Sequence, residues 1–462
     1  MSEPEKVFVH SPYVPYDPGV ALYDTEGWNG GGDAEAWEYT GWRDEVMSWK
    51  ESCYIHGHLN PSPTYVLRGP DALRFLTDFC VNSFARFPIG SSKHAIMCNE
   101  QGNIMVHGML LRLGDEEFIS YWLSPWLPYL LMKHGEGYDV QGEDLTGQVF
   151  LFQIAGPRSL EVLEAASGDN LHDIRFLRHR PSTVDGRDVN VIRIGMAGTL
   201  AYELHGALED ALPVYRKVLE AGEAYGIKRL GIRAYMLNHT EDGFPQSYYH
   251  FPVAWWQDEE FLGFMKQFGG LAQIGMRLRG SVGDDLESRY RTPVELGWEH
   301  MVKFDHDFPG RAALEPEVAN PSRRQVTLVW DSDDVVDVYR SQFEPGEAYM
   351  PMDHPNHFGF EAGDAEHHLT LYADHVLNAD GDVVGQSSGR AQSWYYREML
   401  SLATLDTAYA ELGTEVFVLW GEPGTRQKKI RAVVSRFPYL NENRNEDVDV
   451  DTIPVAAGAA PA

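Results

Sequence analysis

The densest run of side chains able to do chemistry is GFPQSYYHFPVAWW at 243–256, where six aromatics fall in fourteen residues. Pro245 and Pro252 mark it as irregular chain rather than helix or strand. Tyr248, Tyr249, Trp255 and Trp256 make it a suitable wall for a flat ligand, and equally suitable packing at a domain interface. A second group, Asp353, His354, His357, His367 and His368, has metal-ligating types. Its spacing follows neither the helical HExxH arrangement nor a Cys/His finger, so no metal is expected. Cys53, Cys80 and Cys98 are odd in number and widely spaced, which gives no CxxC pair and no disulfide framework and suits buried thiols.

Several elements are available to position these residues. Ala72, Leu73, Leu76 and Phe79 recur at helical spacing after Pro70, which a first turn tolerates, and predict a core-facing helix. A helical pattern also covers 42–49, and 213–225 places Val214, Tyr215, Val218 and Leu219 on one face. Short apolar runs between 94 and 123, broken by turn residues at 100–103 and 114–115, predict strands, as do 149–155 and 188–195. Because strands and helices mix without strict βαβ alternation, an α+β fold is expected. After about 320 the pattern turns to period two with hairpin signals at 379–382 and 421–424, predicting a β-rich C-terminal domain over 321–441. Residues 1–40, rich in Gly, Pro and aromatics, suit an arm packed over a core rather than regular elements. The segment 442–462 has too little apolar surface to offset its ordering entropy, and a disordered tail is expected there.

A chain of 462 residues is long enough for two or three domains. Sixty-nine acidic against 38 basic residues give a formal charge of −31, which repels a phosphate backbone and argues against a nucleic-acid partner. There is no apolar run long enough to span a membrane and no signal-like N-terminus, so a cytoplasmic protein without a membrane partner is expected.

Six phrases stand in fixed order: LRGPDALRFL at 67–76, FQIAGP at 152–157, RIGMAGTLAYELHG at 193–206, LGIRAY at 230–235, TPVELGW at 292–298 and KFDHDFPGRAAL at 303–314. VGQSSGR at 384–390 and IRAVVSRFPY at 430–439 extend the series. Together they resemble the folate-binding aminomethyltransferase family, which includes the T-protein of glycine cleavage, bacterial tetrahydrofolate-dependent aryl O-demethylases and methylenedioxy-cleaving relatives of the sesamin type. The resemblance implies three domains in a clover-leaf arrangement around a central channel, over 1–320 as two interleaved α+β domains plus the β-rich C-terminal domain. It implies tetrahydrofolate as cofactor. Glu203 matches the family glutamate that grips the pterin, whose ring N–H and exocyclic amine are parallel donors that one carboxylate can accept. The alternative is a surface strand glutamate. Arg233 matches a family arginine that positions folate or holds a neighbouring carboxylate such as Glu241. Tyr235 and Gln153 are further folate-contact candidates, with core packing the alternative.

The chain departs from both branches. The two aspartates of T-proteins correspond to Val106 and His107, so aminomethyl transfer loses its principal carboxylate; His107 can take over proton transfer, or be a hydrogen-bonded core histidine. The pocket histidine of the vanillate-type demethylases corresponds to Pro61, their glutamine to His58, and their carboxylate-binding arginine to Leu123. An apolar residue cannot neutralise a substrate carboxylate, so a small aromatic ether that is neutral or differently anchored is expected, with Leu123, Trp255 and Trp256 in its pocket. Tyr248 or Tyr249 is the expected proton donor, matched in acidity to a departing phenol, with His58 and His107 orienting the ether oxygen or a water. The expected activity is one-carbon transfer from that ether to the folate, at the methyl or the methylene level. Aminomethyl transfer in glycine cleavage and a non-catalytic folate-binding role are the rival readings.

Overall fold

The computed structural model describes residues 9–20, 22–24, 33–266, 275–352, 369–456 and 458–459. The chain divides into two compact units, one built from 1–62, 145–235 and 442–462, the other from 63–144 and 236–441. The boundary expected at 320 therefore falls inside the second unit.

Among the described residues, the first unit centres on a six-stranded sheet. Its order is His179–Val184, Arg187–Ile192, Ala201–Ala207, Val149–Ala155, Cys53–His56 and Ile227–Arg229. Neighbours are antiparallel except Ile227–Arg229, which runs parallel to Cys53–His56. Alternation along the strands sends Phe150, Phe152 and Ile154, with Tyr202 and Leu204, into one apolar core. The helices Ser159–Ser167 and Ala211–Gly222 cover that core through Leu160, Val162, Leu163, Val214, Tyr215 and Val218. The opposite face carries Gln153, Glu203 and His205, all of them buried as well.

Three local expectations are corrected. The helical pattern over 42–49 resolves into two single turns, Trp42–Glu45 and Ser48–Glu51, where Ser48 Oγ donates to the Glu45 carbonyl at 2.6 Å in competition with the helix ladder. The N-terminal arm forms a small sheet of Val9–His10, Leu22–Asp24 and Asp33–Glu38. The tail expected to be disordered folds onto the first unit, with Val450 in its core. Arg193 donates to Asn445 Oδ1 at 3.2 Å and to the carbonyls of Asn445 and Val448 at 2.5 and 2.8 Å. Composition misjudged this segment because its anchors are backbone carbonyls, which every sequence carries.

The second unit holds a five-stranded antiparallel sheet, Ser92–Cys98, Ile104–Arg112, Glu117–Tyr121, Thr64–Arg68 and Gln141–Asp144. The helix Ala72–Phe79 packs Ala72, Phe75 and Leu76 into its core. The β-rich segment contains a closed barrel of Arg323–Trp330, Glu398–Asp406, Val383–Ser393, Asp374–Leu377, Glu415–Trp420 and Lys428–Ser435, with both expected hairpins in place. No helix among the described residues is long and apolar enough to cross a membrane.

Candidate functional site

Strand register decides which polar groups meet in the first unit. Glu203 lies opposite Gln153, and Gln153 opposite His56, so three polar side chains fall in line across adjacent strands. His205, two residues beyond Glu203, shares its face. Gln153 Nε2 donates to Glu203 Oε1 at 3.1 Å, and His205 Nε2 lies 2.9 Å from Glu203 Oε2. Each carboxylate oxygen thus has one fixed neighbour, and the group is only 4% exposed. Gln153 Oε1 is buried without a hydrogen-bond partner. His56 Nδ1 is 3.0 Å from the Leu230 carbonyl, and its ring stacks on Tyr235 at 4.1 Å and 4°. Burial pushes the Tyr235 hydroxyl well above the ordinary tyrosine range, so it stays protonated.

His58 is buried, and its Nε2 lies 2.9 Å from Tyr39 Oη while Nδ1 is buried without a partner. It lines a cavity with Tyr39, Tyr23, Tyr16 and Val14, whose room of about 10 Å³ for a water centre suits a single water. Burial holds its pKa well below the usual imidazole value. Arg233 does hold a neighbouring carboxylate, but it is that of Glu38. Glu241, the partner named from sequence, instead accepts from Ser393 Oγ at 2.6 Å. Sequence separation hid this pair, since Glu38 precedes Arg233 by 195 positions.

In the second unit the aromatic segment and the histidines of the sheet come together. His107 lies opposite Ile96 in the ladder, so His94 is its diagonal neighbour on the same face. His94 Nε2 is 3.0 Å from His107 Nδ1. Phe251 and Trp298 flank His107 at ring distances of 5.8 and 5.0 Å. Burial, reinforced by His239, drives the His107 pKa down to about 3, so the ring is neutral at physiological pH. The outer nitrogens, His94 Nδ1 and His107 Nε2, are buried without partners.

The two tyrosines differ sharply. Tyr249 Oη donates to the Arg390 carbonyl at 3.3 Å. Tyr248 has a hydroxyl buried without a partner, and its backbone lies at φ 65°, a left-handed conformation unusual for a bulky residue. A Tyr248 N–H donation to the Phe251 carbonyl at 2.8 Å holds that conformation. Trp255 packs 5.9 Å from Tyr248 and stacks on Phe261 at 5.2 Å, while Trp256 Nε1 is buried without a partner. Leu123 is fully buried in the apolar core.

Sequence reasoning missed His94, His205 and Trp298. His205 was recoverable from the period-two rule applied to Glu203, whereas His94 needed the strand register. The group at 353–368 lies outside the described residues, and among those described no three His, Cys, Asp or Glu side chains are placed to hold a metal.

The GCVT N-terminal domain model matches residues 21–250. The chain is 44% identical over 436 residues to the sesamin methylene transferase of Sinomonas sp., covering 91% of this chain and 95% of that protein. The chain belongs to the aminomethyltransferase family. The syringate O-demethylase of Sphingobium sp. is 30% identical, over 87% of this chain and 89% of its own length. The glycine cleavage aminomethyltransferase T from Bartonella henselae shares the fold, at a TM-score of 0.66 and 17% identity over 92% of this chain and 96% of that one. Within this aminomethyltransferase-family chain the donor set fits a pterin. Glu203 offers further lone pairs to ring and amino N–H donors, and Gln153 Oε1 is a second buried acceptor beside it.

Proposed function

We propose that this chain removes the methylene carbon of a small neutral methylenedioxy arene in a tetrahydrofolate-dependent reaction, leaving a catechol. The buried Glu203 carboxylate, fixed by Gln153 and His205, is the observation that carries this reading. A lone buried carboxylate is costly; two neighbours that orient it and leave lone pairs open are what recognition of a cationic or multiply donating heterocycle requires. Bound tetrahydrofolate supplies the nitrogens that accept the carbon.

The protein's own groups handle the other side of the reaction. An aryl oxide leaves poorly, so the breaking C–O bond needs a proton at oxygen. Tyr248 is the better donor of the two tyrosines, because its hydroxyl has no competing acceptor. Burial raises the pKa of that phenol and so keeps it protonated, and a departing aryl oxide desolvated in the same surroundings is raised with it, which preserves the match in acidity between the two oxygens. The 44% identity to a sesamin methylene transferase favours a neutral methylenedioxy ring and the methylene level. Glycine-cleavage chemistry is disfavoured by Val106 and His107 where T-proteins carry aspartates.

The test is incubation of the protein and tetrahydrofolate with 1,3-benzodioxole derivatives, methoxybenzoates and aminomethyl-lipoamide, followed by chromatography of the aromatic and folate products. Catechol with methylenetetrahydrofolate is expected from the first class. Product only from aminomethyl-lipoamide, or none from any donor, defeats the proposal.

A further inference from the structure

The His94–His107 pair is a buried device with two open ends. Its rings meet through His94 Nε2 and His107 Nδ1 at 3.0 Å, and each outer nitrogen is buried without a partner. His107 is 7% exposed and framed by Phe251 and Trp298. Phe251 also joins the pair to Tyr248, since its carbonyl accepts the Tyr248 N–H. Two neutral imidazoles in contact must share one N–H, so fixing the tautomer of one fixes the other. If His94 carries its proton on Nε2, His107 presents an N–H donor at Nε2. If His94 carries it on Nδ1, His107 presents a bare acceptor there.

We infer that His107 Nε2 binds one aryl oxygen of the substrate and that His94 passes a proton through His107 to that oxygen as its C–O bond breaks. This rests on the methylenedioxy reading above and deepens it. An ether oxygen only accepts hydrogen bonds, whereas a phenol prefers to donate to an imidazole nitrogen, and the two tautomers of the pair match these two states in turn. A methylenedioxy ring releases two oxygens and needs a proton at each. Tyr248 serves one, regaining its proton from the N–H that the second acceptor nitrogen gives up, and His107 the other.

The balance is simple. The C–O electron pair stays on oxygen, the carbon passes to the acceptor nitrogen, which gives up its N–H proton to solvent, and the proton on His107 Nε2 forms the new O–H bond. His107 Nδ1 takes the proton of His94 Nε2, and His94 Nδ1 takes one from solvent. Both rings end neutral with tautomers reversed, and no oxidation state changes.

Folate-free protein with ¹⁵N-labelled histidine gives a direct readout by NMR. With 1,3-benzodioxole bound, His107 is expected protonated at Nε2 and His94 bare at Nδ1; with catechol bound, both assignments reverse. In His94→Gln the amide can donate to or accept from His107 Nδ1 but cannot pass a proton on, so benzodioxole and catechol are expected to bind within a few fold of wild type while catechol formation falls about tenfold or more. Catechol bound with unchanged tautomers, or wild-type catechol formation in His94→Gln, overturns the relay even where wild-type enzyme makes catechol. Failure of the wild type to make catechol from any benzodioxole overturns the proposed function, and this inference with it.

Discussion

Gly389 stands so close to His250 that a Cβ on it would fall 2.2 Å from the imidazole Nε2. The glycine of VGQSSGR thereby seats the aromatic segment. His250 Nδ1 accepts the Gln246 N–H at 2.9 Å, and Nε2 faces Thr240 Oγ1 at 3.2 Å, which in turn donates to the Gly389 carbonyl at 2.8 Å. This clip lies two residues from Tyr248. Gly389→Ala is expected to cost about 1–3 kcal/mol in stability through overpacking. A fall in kcat of roughly tenfold or more should follow as Tyr248 shifts, since a misplacement of about 1 Å costs up to about a hundredfold. Melting curves and steady-state kinetics on the variant check both; wild-type values in each would refute the clip.

Tyr248→Phe and Tyr249→Phe should separate cleanly. The first removes a buried hydroxyl with no partner, so thermal stability should hold or rise slightly while turnover drops by roughly 10²–10⁴. The second removes the 3.3 Å bond to the Arg390 carbonyl and a hydrogen bond with Thr240, both away from the reacting oxygen, and should leave turnover within a few fold. Equal losses in both would show that the proton donor has been misassigned.

Glu203→Gln preserves shape and removes the charge. Loss of charge-assisted hydrogen bonds, about 1.5–3 kcal/mol, should weaken tetrahydrofolate binding by roughly ten- to a hundredfold. Calorimetry measures this directly, and unaltered affinity would remove Glu203 from the cofactor site.

Acid stability follows from the buried histidines. The folded-state pKa of His107 is lowered to about 3, and those of His58, His94 and His250 are lowered as well, by burial in each case. The unfolded chain, titrating near 6.5, binds more protons between these limits, so stability is complete above pH ~6.5 and is lost as pH falls toward ~3. Asp374, raised to about 6 by burial, acts the other way, gaining stability as pH falls from ~6 toward ~4, and Glu45 and Glu317 are raised in the same sense, but His134 and His375 join the four histidines, which outnumber these carboxyls. Calorimetric Tm should decline from pH 6.5 downward, and His107→Gln should flatten that decline.

Truncation after residue 441 should destabilise the first unit. It strips Val450 from the core and leaves the guanidinium of Arg193, only 2% exposed, without Asn445 and Val448. A buried charge left unpaired costs about 3–5 kcal/mol, enough to lower Tm by several degrees or to block soluble expression.

Glu203, Gln153 and Tyr235 could be singled out in the sequence because the motifs that carry them are local. The glutamate and its glycines lie on one short segment, Glu203 within the strand Ala201–Ala207 and Gly195 and Gly198 just before it. Mixed α+β architecture, the helix Ala72–Phe79 and both barrel hairpins were legible for the same reason, since periodicity and turn chemistry act over a few residues. Tertiary structure alone decided the rest. Whether Glu203 faced water or a buried neighbour depended on its pairing with Gln153, 50 positions away; Arg233 took Glu38 rather than Glu241; and His94 joined His107 only through a diagonal of the sheet. The tail obeyed the same logic, because backbone carbonyls held by Arg193 leave no mark on composition. Local patterns fix which face a side chain takes, while register and long-range packing, worth nothing until distant strands align, fix what that face meets.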